Sequence, residues 1–225
     1  MTHQNLQFAK FVALLNCAVP GLLLGLDAVR GDLGANPVNF AIRTTGMLSL
    51  ICLVLSLAVT PAARVSGWSQ ITHFRRMLGV YAFLYAAVHF GIFFGFDRAA
   101  SVSSTLSEMS LRPYLAVGAA SLLMMAPLAA TSTNGMIKRV GGKRWKLLHR
   151  LAYPAGLAAV THYFLLVKSD TRLPIAFGAT LAVLLGYRVL ALRKKRGVDL
   201  NQRGSRIGEN NVVQAKPLPS EGGGG

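Results

Sequence analysis

Long apolar runs separated by short polar stretches set the pattern of this chain. A helix that crosses a bilayer needs about 20 mostly apolar residues. Six stretches have that character: residues 10–27, 44–61, 77–96, 113–130, 148–167 and 173–192. In the first, FVALLNCAVPGLLLGL forms an uncharged centre. Only Lys10 precedes that run, and no small-residue cleavage site stands out after it, so it reads as a helix and not as a signal peptide. Arg188 lies near the end of the sixth stretch, where a long side chain can snorkel. The pattern predicts an all-α polytopic bundle of about six spanning helices. Residues 1–196 form the membrane domain. Residues 197–225, rich in Gly, Asn and Pro, form a disordered polar tail on the cytoplasmic side, and the closing EGGGG has the composition of an appended linker. No internal repeat and no matched pair of broken helices stands out.

Composition agrees with the pattern. Of 225 residues, 52% are hydrophobic and 14% charged, against about 25% charged in soluble domains. The net charge of +16 raises nucleic acid as a partner. The positions of the charges reject it. Arg64, Arg75 and Arg76 lie between spans two and three. Lys138, Arg139, Lys143, Arg144 and Lys146 lie between spans four and five, and Arg193, Lys194, Lys195 and Arg196 follow span six. All three groups fall on one side of a six-span chain. The other side mixes Asp32, Asp97, Glu108 and Asp170 with Arg30, Arg43, Arg98, Arg112, Lys168 and Arg172. By the positive-inside rule both termini are cytoplasmic.

Cys17 and Cys52 each sit inside an apolar run, without CxxC or CxxCH spacing. A disulfide framework, a zinc site and covalent haem attachment are therefore unsupported. The five histidines carry more information. His3 and His73 fall in polar flanks and read as solvated. His89, His149 and His162 belong to spans, where a strongly polar side chain is costly and marks function or an interhelical hydrogen bond. His89 lies twelve residues into span three, roughly 18 Å at the helical rise. His162 lies fourteen residues into span five, which runs the same way, roughly 21 Å by the same rise. Two imidazoles at one depth on parallel helices suit axial ligation of one haem iron. His149 starts span five, thirteen residues before His162. The matching positions before His89 are Arg76 and Arg75, so no second pair of histidines is completed. On a straight helix His149 also points roughly 140° away from His162, and Pro154 between them can rephase the helix. Arg75 and Arg76 read either as positive-inside anchors or as a clamp for an anionic cofactor group, a flavin phosphate or haem propionates. No Rossmann, Walker or nucleophile-elbow motif occurs.

Several fragments together point to a family. LGANPV, RTTG, LAVTP, RRMLG…YAAVHF, LRPY, PLAATS and GKRWKLLHRLAY…HYFLLVK follow one another over about residues 20–175. In order and spacing the chain resembles the MsrQ (YedZ) family, haem-binding membrane subunits of the bacterial periplasmic protein-methionine-sulfoxide reductase system, within the ferric-reductase-like transmembrane group. The resemblance implies b-type haem, one or two, with FMN as a further cofactor. It implies electrons taken from the quinone pool or a cytoplasmic flavin reductase. Their destination is a periplasmic molybdopterin reductase, MsrP, in a heterodimer at the bacterial inner membrane. The family histidines fall on His89, His149 and His162. Arg75 and Arg76 depart from two-haem NADPH oxidases, and no flavin or nicotinamide domain follows, so the donor comes from outside. The chain then is an electron-transfer subunit with no substrate-reducing site of its own. Two other readings of the membrane histidines remain: a transporter or proton pathway, and a different ferric-reductase-like electron carrier. A plain membrane anchor gives no reason for two histidines at one depth. The loops around Asn36, 97–111 and 168–172 are the surfaces expected to meet a periplasmic partner.

Overall fold

A computed structural model describes residues 3–191 and 193. The tail predicted for 197–225, its boundary at 196, and Lys194, Lys195 and Arg196 lie outside the described residues. Two compact units divide the chain, Met1–Leu184 and Leu185–Gly225. All regular structure among the described residues is helical.

Among the described residues, five helical segments are long and apolar enough to cross a membrane: Gln4–Arg30, Pro37–Ser66, Ser69–Asp97, Pro113–Ala130 and Arg172–Ala191. The first is α1 (His3–Arg30) and the second α2 (Pro37–Ser66). Asn36 caps α2 by accepting from the Asn39 N–H, Pro37 fits the first turn, and Gly67 ends the helix in left-handed geometry at φ 70°. A 3₁₀ turn, Ser69–His73, leads into α3 (Phe74–Ile92), whose last turn widens into a π turn at Phe93–Asp97. Next come α4 (Val102–Leu111), capped by Ser101, and α5 (Pro113–Ala130). Two short helices, α6 (Asn134–Val140) and α7 (Gly142–Leu148), precede a 3₁₀ turn at His149–Leu151 and α8 (Ala152–Leu166). The last described helix is α9 (Arg172–Ala191).

The stretch 148–167, expected as one spanning helix, is a composite. Its regular part, α8, has 15 residues, about 22 Å at the helical rise, short of the roughly 30 Å hydrocarbon core. Pro154 lies in the first turn of α8, where its missing N–H costs least. The 3₁₀ turn before it carries the helical path back into α7. Residues 97–111, expected as a loop, contain α4. Arg98 bridges Asp97 (2.7 Å) and Glu108 (3.1 Å), and Glu108 also pairs with Arg112 (2.6 Å). This network closes a turn in which Ala99 and Ala100 adopt φ of 50° and 55°, a conformation that disfavours side chains.

Between helices surrounded by lipid, small residues and hydrogen bonds do the packing. The core joins Cys52 and Leu53 of α2, Ala82 and Tyr85 of α3, Met125 of α5 and Ala155 of α8. Ala82 and Ala155 are both fully buried. The Ser49 hydroxyl of α2 donates to the Ala82 carbonyl at 2.8 Å, and Ser121 of α5 donates to the Ala155 carbonyl at 2.9 Å. Two tyrosines fasten α1 to α3. Tyr81 donates to the Leu14 carbonyl (3.2 Å), and Tyr85 donates to the Cys17 carbonyl while accepting from the Gly21 N–H. Cys17 and Gly21 would normally bond to each other. The Tyr85 hydroxyl engages both of these backbone groups, beside Pro20, which cannot donate.

Candidate cofactor site

His89 belongs to the last turn of α3, and His162 to the second half of α8. Each is anchored by a helix that comes earlier in the chain. The Nδ1 of His89 lies 2.8 Å from the Ile42 carbonyl of α2, and the Nδ1 of His162 lies 2.7 Å from the Tyr114 carbonyl of α5. A carbonyl only accepts, so Nδ1 carries the proton and Nε2 keeps its lone pair in each ring. That is the second-sphere arrangement that fixes the tautomer of metal-bound histidine.

Each ring also lies against a glycine. A methyl on Gly46 would come within 3.0 Å of His89 Nδ1. One on Gly118 would meet His162 Nδ1 at 2.8 Å and Cε1 at 2.9 Å. The Tyr114 ring stands 6.0 Å from the His162 ring.

The two imidazoles come together as their depths predict, with ring centroids 6.3 Å apart and planes at 82°. This spacing can be compared with a metal-bound pair. A ring centroid lies about 1.1 Å from its nitrogen and a metal–imidazole bond is about 2.0 Å, so two rings on opposite sides of one metal have centroids about 6.2 Å apart. The pair fits. Two imidazoles supply only two ligands, so a metal held here brings its other ligands with it, as the iron of a macrocycle does.

Arg75, Arg76 and His149 gather at the opposite, basic end. Arg75 donates to the Thr60 hydroxyl at 3.5 Å, and Arg76 donates to the Asn134 side-chain oxygen at 2.5 Å. His149 falls in the 3₁₀ turn before α8. Its ring stacks on Trp145 at 3.9 Å, and its Nδ1 lies 3.1 Å from the Trp145 carbonyl. The Trp145 indole in turn donates to the Thr131 carbonyl at 2.9 Å. Arg75 is close enough for its charge to act on His149. The cluster thus offers two guanidiniums and a stacked aromatic pair, chemistry that suits an anionic planar group. His73 ends the 3₁₀ turn before α3 and is exposed.

Sequence reading missed Gly46, Gly118 and the carbonyls of Ile42 and Tyr114. Helical glycines resemble ordinary packing residues, and a carbonyl acceptor leaves no trace in side-chain identity. The one available signal was spacing: Gly118 follows Gly46 by nearly the interval that separates the two histidines.

Comparison with known proteins gives a consistent result. Residues 45–160 match the ferric reductase like transmembrane component family, a span that holds His89 and His149 and ends just before His162. The chain is 43% identical over 191 residues to the protein-methionine-sulfoxide reductase heme-binding subunit MsrQ of Rhodospirillum rubrum, covering 84% of this chain and 90% of that one. It is 42% identical to the MsrQ of Herminiimonas arsenicoxydans, covering 85% of this chain and 89% of that one. The MsrQ of Xanthomonas euvesicatoria is 45% identical over 157 residues, 70% of this chain and 72% of that one. No solved structure matches.

Proposed function

The chain belongs to the ferric-reductase-like transmembrane family and, within it, to the MsrQ family, and on that premise we propose that it is a multi-pass electron-transfer subunit of the bacterial inner membrane. It binds b-type haem between His89 and His162 and passes electrons to a periplasmic methionine-sulfoxide reductase, MsrP, that repairs oxidised proteins. The observation that carries this reading is the 6.3 Å spacing of two rings whose Nδ1 atoms are both engaged. When bound, the haem iron supplies reversible one-electron exchange. The protein's own part is to present two neutral imidazoles and to hold them with carbonyls that strengthen nitrogen donation.

The basic end faces the cytoplasm under the positive-inside rule, with both termini on that side. Arg75, Arg76 and His149 receive the anionic part of a second cofactor there, FMN or a second haem. The donor is the quinone pool or a cytoplasmic flavin reductase. The loops around Asn36, 97–111 and 168–172 then face MsrP. The decisive experiment is the reduced-minus-oxidised visible spectrum of purified protein. A low-spin b-type spectrum reducible by dithionite is expected, and protein that never takes up haem would reject the reading. A C-terminal GFP fusion should fluoresce and a C-terminal alkaline phosphatase fusion should be inactive; the reverse result would invert the orientation.

A further inference from the structure

The two hairpins that carry the histidines share one plan. In α2 and α3, the Ile42 carbonyl meets His89 Nδ1, Gly46 meets the Nδ1–Cε1 side of the same ring one turn on, and Ser49 donates to the Ala82 carbonyl. In α5 and α8, the Tyr114 carbonyl meets His162 Nδ1, Gly118 meets its ring, and Ser121 donates to the Ala155 carbonyl. Every position on the first helix recurs 72 residues later, 42 to 114, 46 to 118 and 49 to 121, and every position on the second recurs 73 later, 82 to 155 and 89 to 162. Ser, Ala, Gly and His are identical between the copies. Ile42 and Tyr114 differ, but both act through backbone oxygen.

Among the described glycines, only Gly46 and Gly118 would drive a methyl into a histidine. Gly25 and Gly91 open onto free space, and Gly156 faces Leu57 and Leu181. An imidazole held at one nitrogen still swings about its hydrogen bond. A helix backbone close beside the ring limits that swing. Carbonyl and glycine together therefore determine the plane of each ring, and the two copies leave the planes at 82°.

We propose that Gly46 and Gly118, with the carbonyls of Ile42 and Tyr114, form a duplicated cradle that locks the two haem-ligating imidazoles in near-perpendicular planes. These are positioning residues, not ligands, and the proposal rests on the haem reading of the His89–His162 pair. A perpendicular pair has a spectroscopic signature: its low-spin ferric iron gives a strongly anisotropic EPR signal dominated by one large g value, whereas parallel rings give a rhombic signal with three resolved g values.

The test uses full-length protein purified in detergent with its haem. Wild-type protein should show the strongly anisotropic signal. Gly46→Ala and Gly118→Ala should each move it toward the rhombic or high-spin form and weaken haem retention by about 10-fold, the usual scale for a lost second-sphere partner. The larger change is expected at Gly118, where the added methyl comes closer. Gly25→Ala is the control and should change nothing. A rhombic wild-type spectrum overturns the proposal without any variant, so the test survives an alanine protein that fails to accumulate. Unchanged spectra in both glycine variants also overturn it. If His89→Ala and His162→Ala remove the haem while the glycine variants leave it untouched, the haem reading stands and the cradle falls. If the histidine variants keep full haem, both fall.

Discussion

His89 and His162 are held from outside their own helices, by carbonyls 47 and 48 residues away in sequence. His149, at the basic end, is held from the adjoining α7, through the carbonyl and ring of Trp145 four residues earlier. The first arrangement exists only once two hairpins have packed. The second forms as soon as one turn winds. The duplicated plan also stops between the two ends: the position equivalent to His149 is Arg76, whose side chain binds Asn134. One end is a matched pair built by tertiary structure, and the other is an asymmetric cluster of local parts with spare positive charge. A metal that must be gripped from two sides calls for the former, and an anionic group arriving from solvent calls for the latter.

The sharpest way to break this contrast is at the matched pair. His89→Ala and His162→Ala should each lower haem content below about a tenth of wild type, because even indirect partners of a metal ligand are worth 10–100-fold. The double variant should add little, since the two residues act as one unit. Haem per purified monodisperse protein is the measurement, and full occupancy in both single variants would dissolve the pair.

His149→Ala should do the reverse. The low-spin spectrum of the pair should persist, while the rate of haem reduction by a cytoplasmic flavin reductase falls, as followed by stopped-flow absorbance. Loss of all haem in this variant would mean that the two ends are not separate sites. His73→Ala, on the exposed turn nearby, should change neither quantity.

The smallest effect is expected at the serines between the hairpins. Ser49→Ala and Ser121→Ala each remove one interhelical hydrogen bond, worth about 0.6 kcal/mol in a bilayer protein. Thermal unfolding in detergent should show a slight loss for each, of similar size if the two hairpins are equivalent. A much larger loss for one would mean that the duplication is not energetic.

The spans were legible because lipid demands long apolar runs, and the shared depth of His89 and His162 followed from counting along parallel helices. Two features were not. The stretch 148–167 is apolar throughout, yet its regular helix begins only at Ala152, since a 3₁₀ turn changes the hydrogen bonding without changing the hydropathy. In 97–111, the cap at Ser101 and the Arg98–Glu108 pair order a helix that polar composition concealed. The duplication escaped reading because it rests on a few positions with a one-residue slip between helices, while the lipid-facing residues around them are free to vary among apolar types.

The contact of the Tyr85 hydroxyl with α1 bears on how the chain is made. Gly21 leaves the ribosome 64 residues before the side chain that accepts its N–H. Until α3 arrives, this amide sits beside a proline with its eventual partner still unsynthesised. Docking of α1 therefore follows the synthesis of α3, although α1 precedes it in the chain. Deuterium uptake at Gly21 reports that moment: the amide should exchange quickly in chains truncated before α3 and slowly in the full-length protein. Until then α1 waits in the bilayer for its partner from α3.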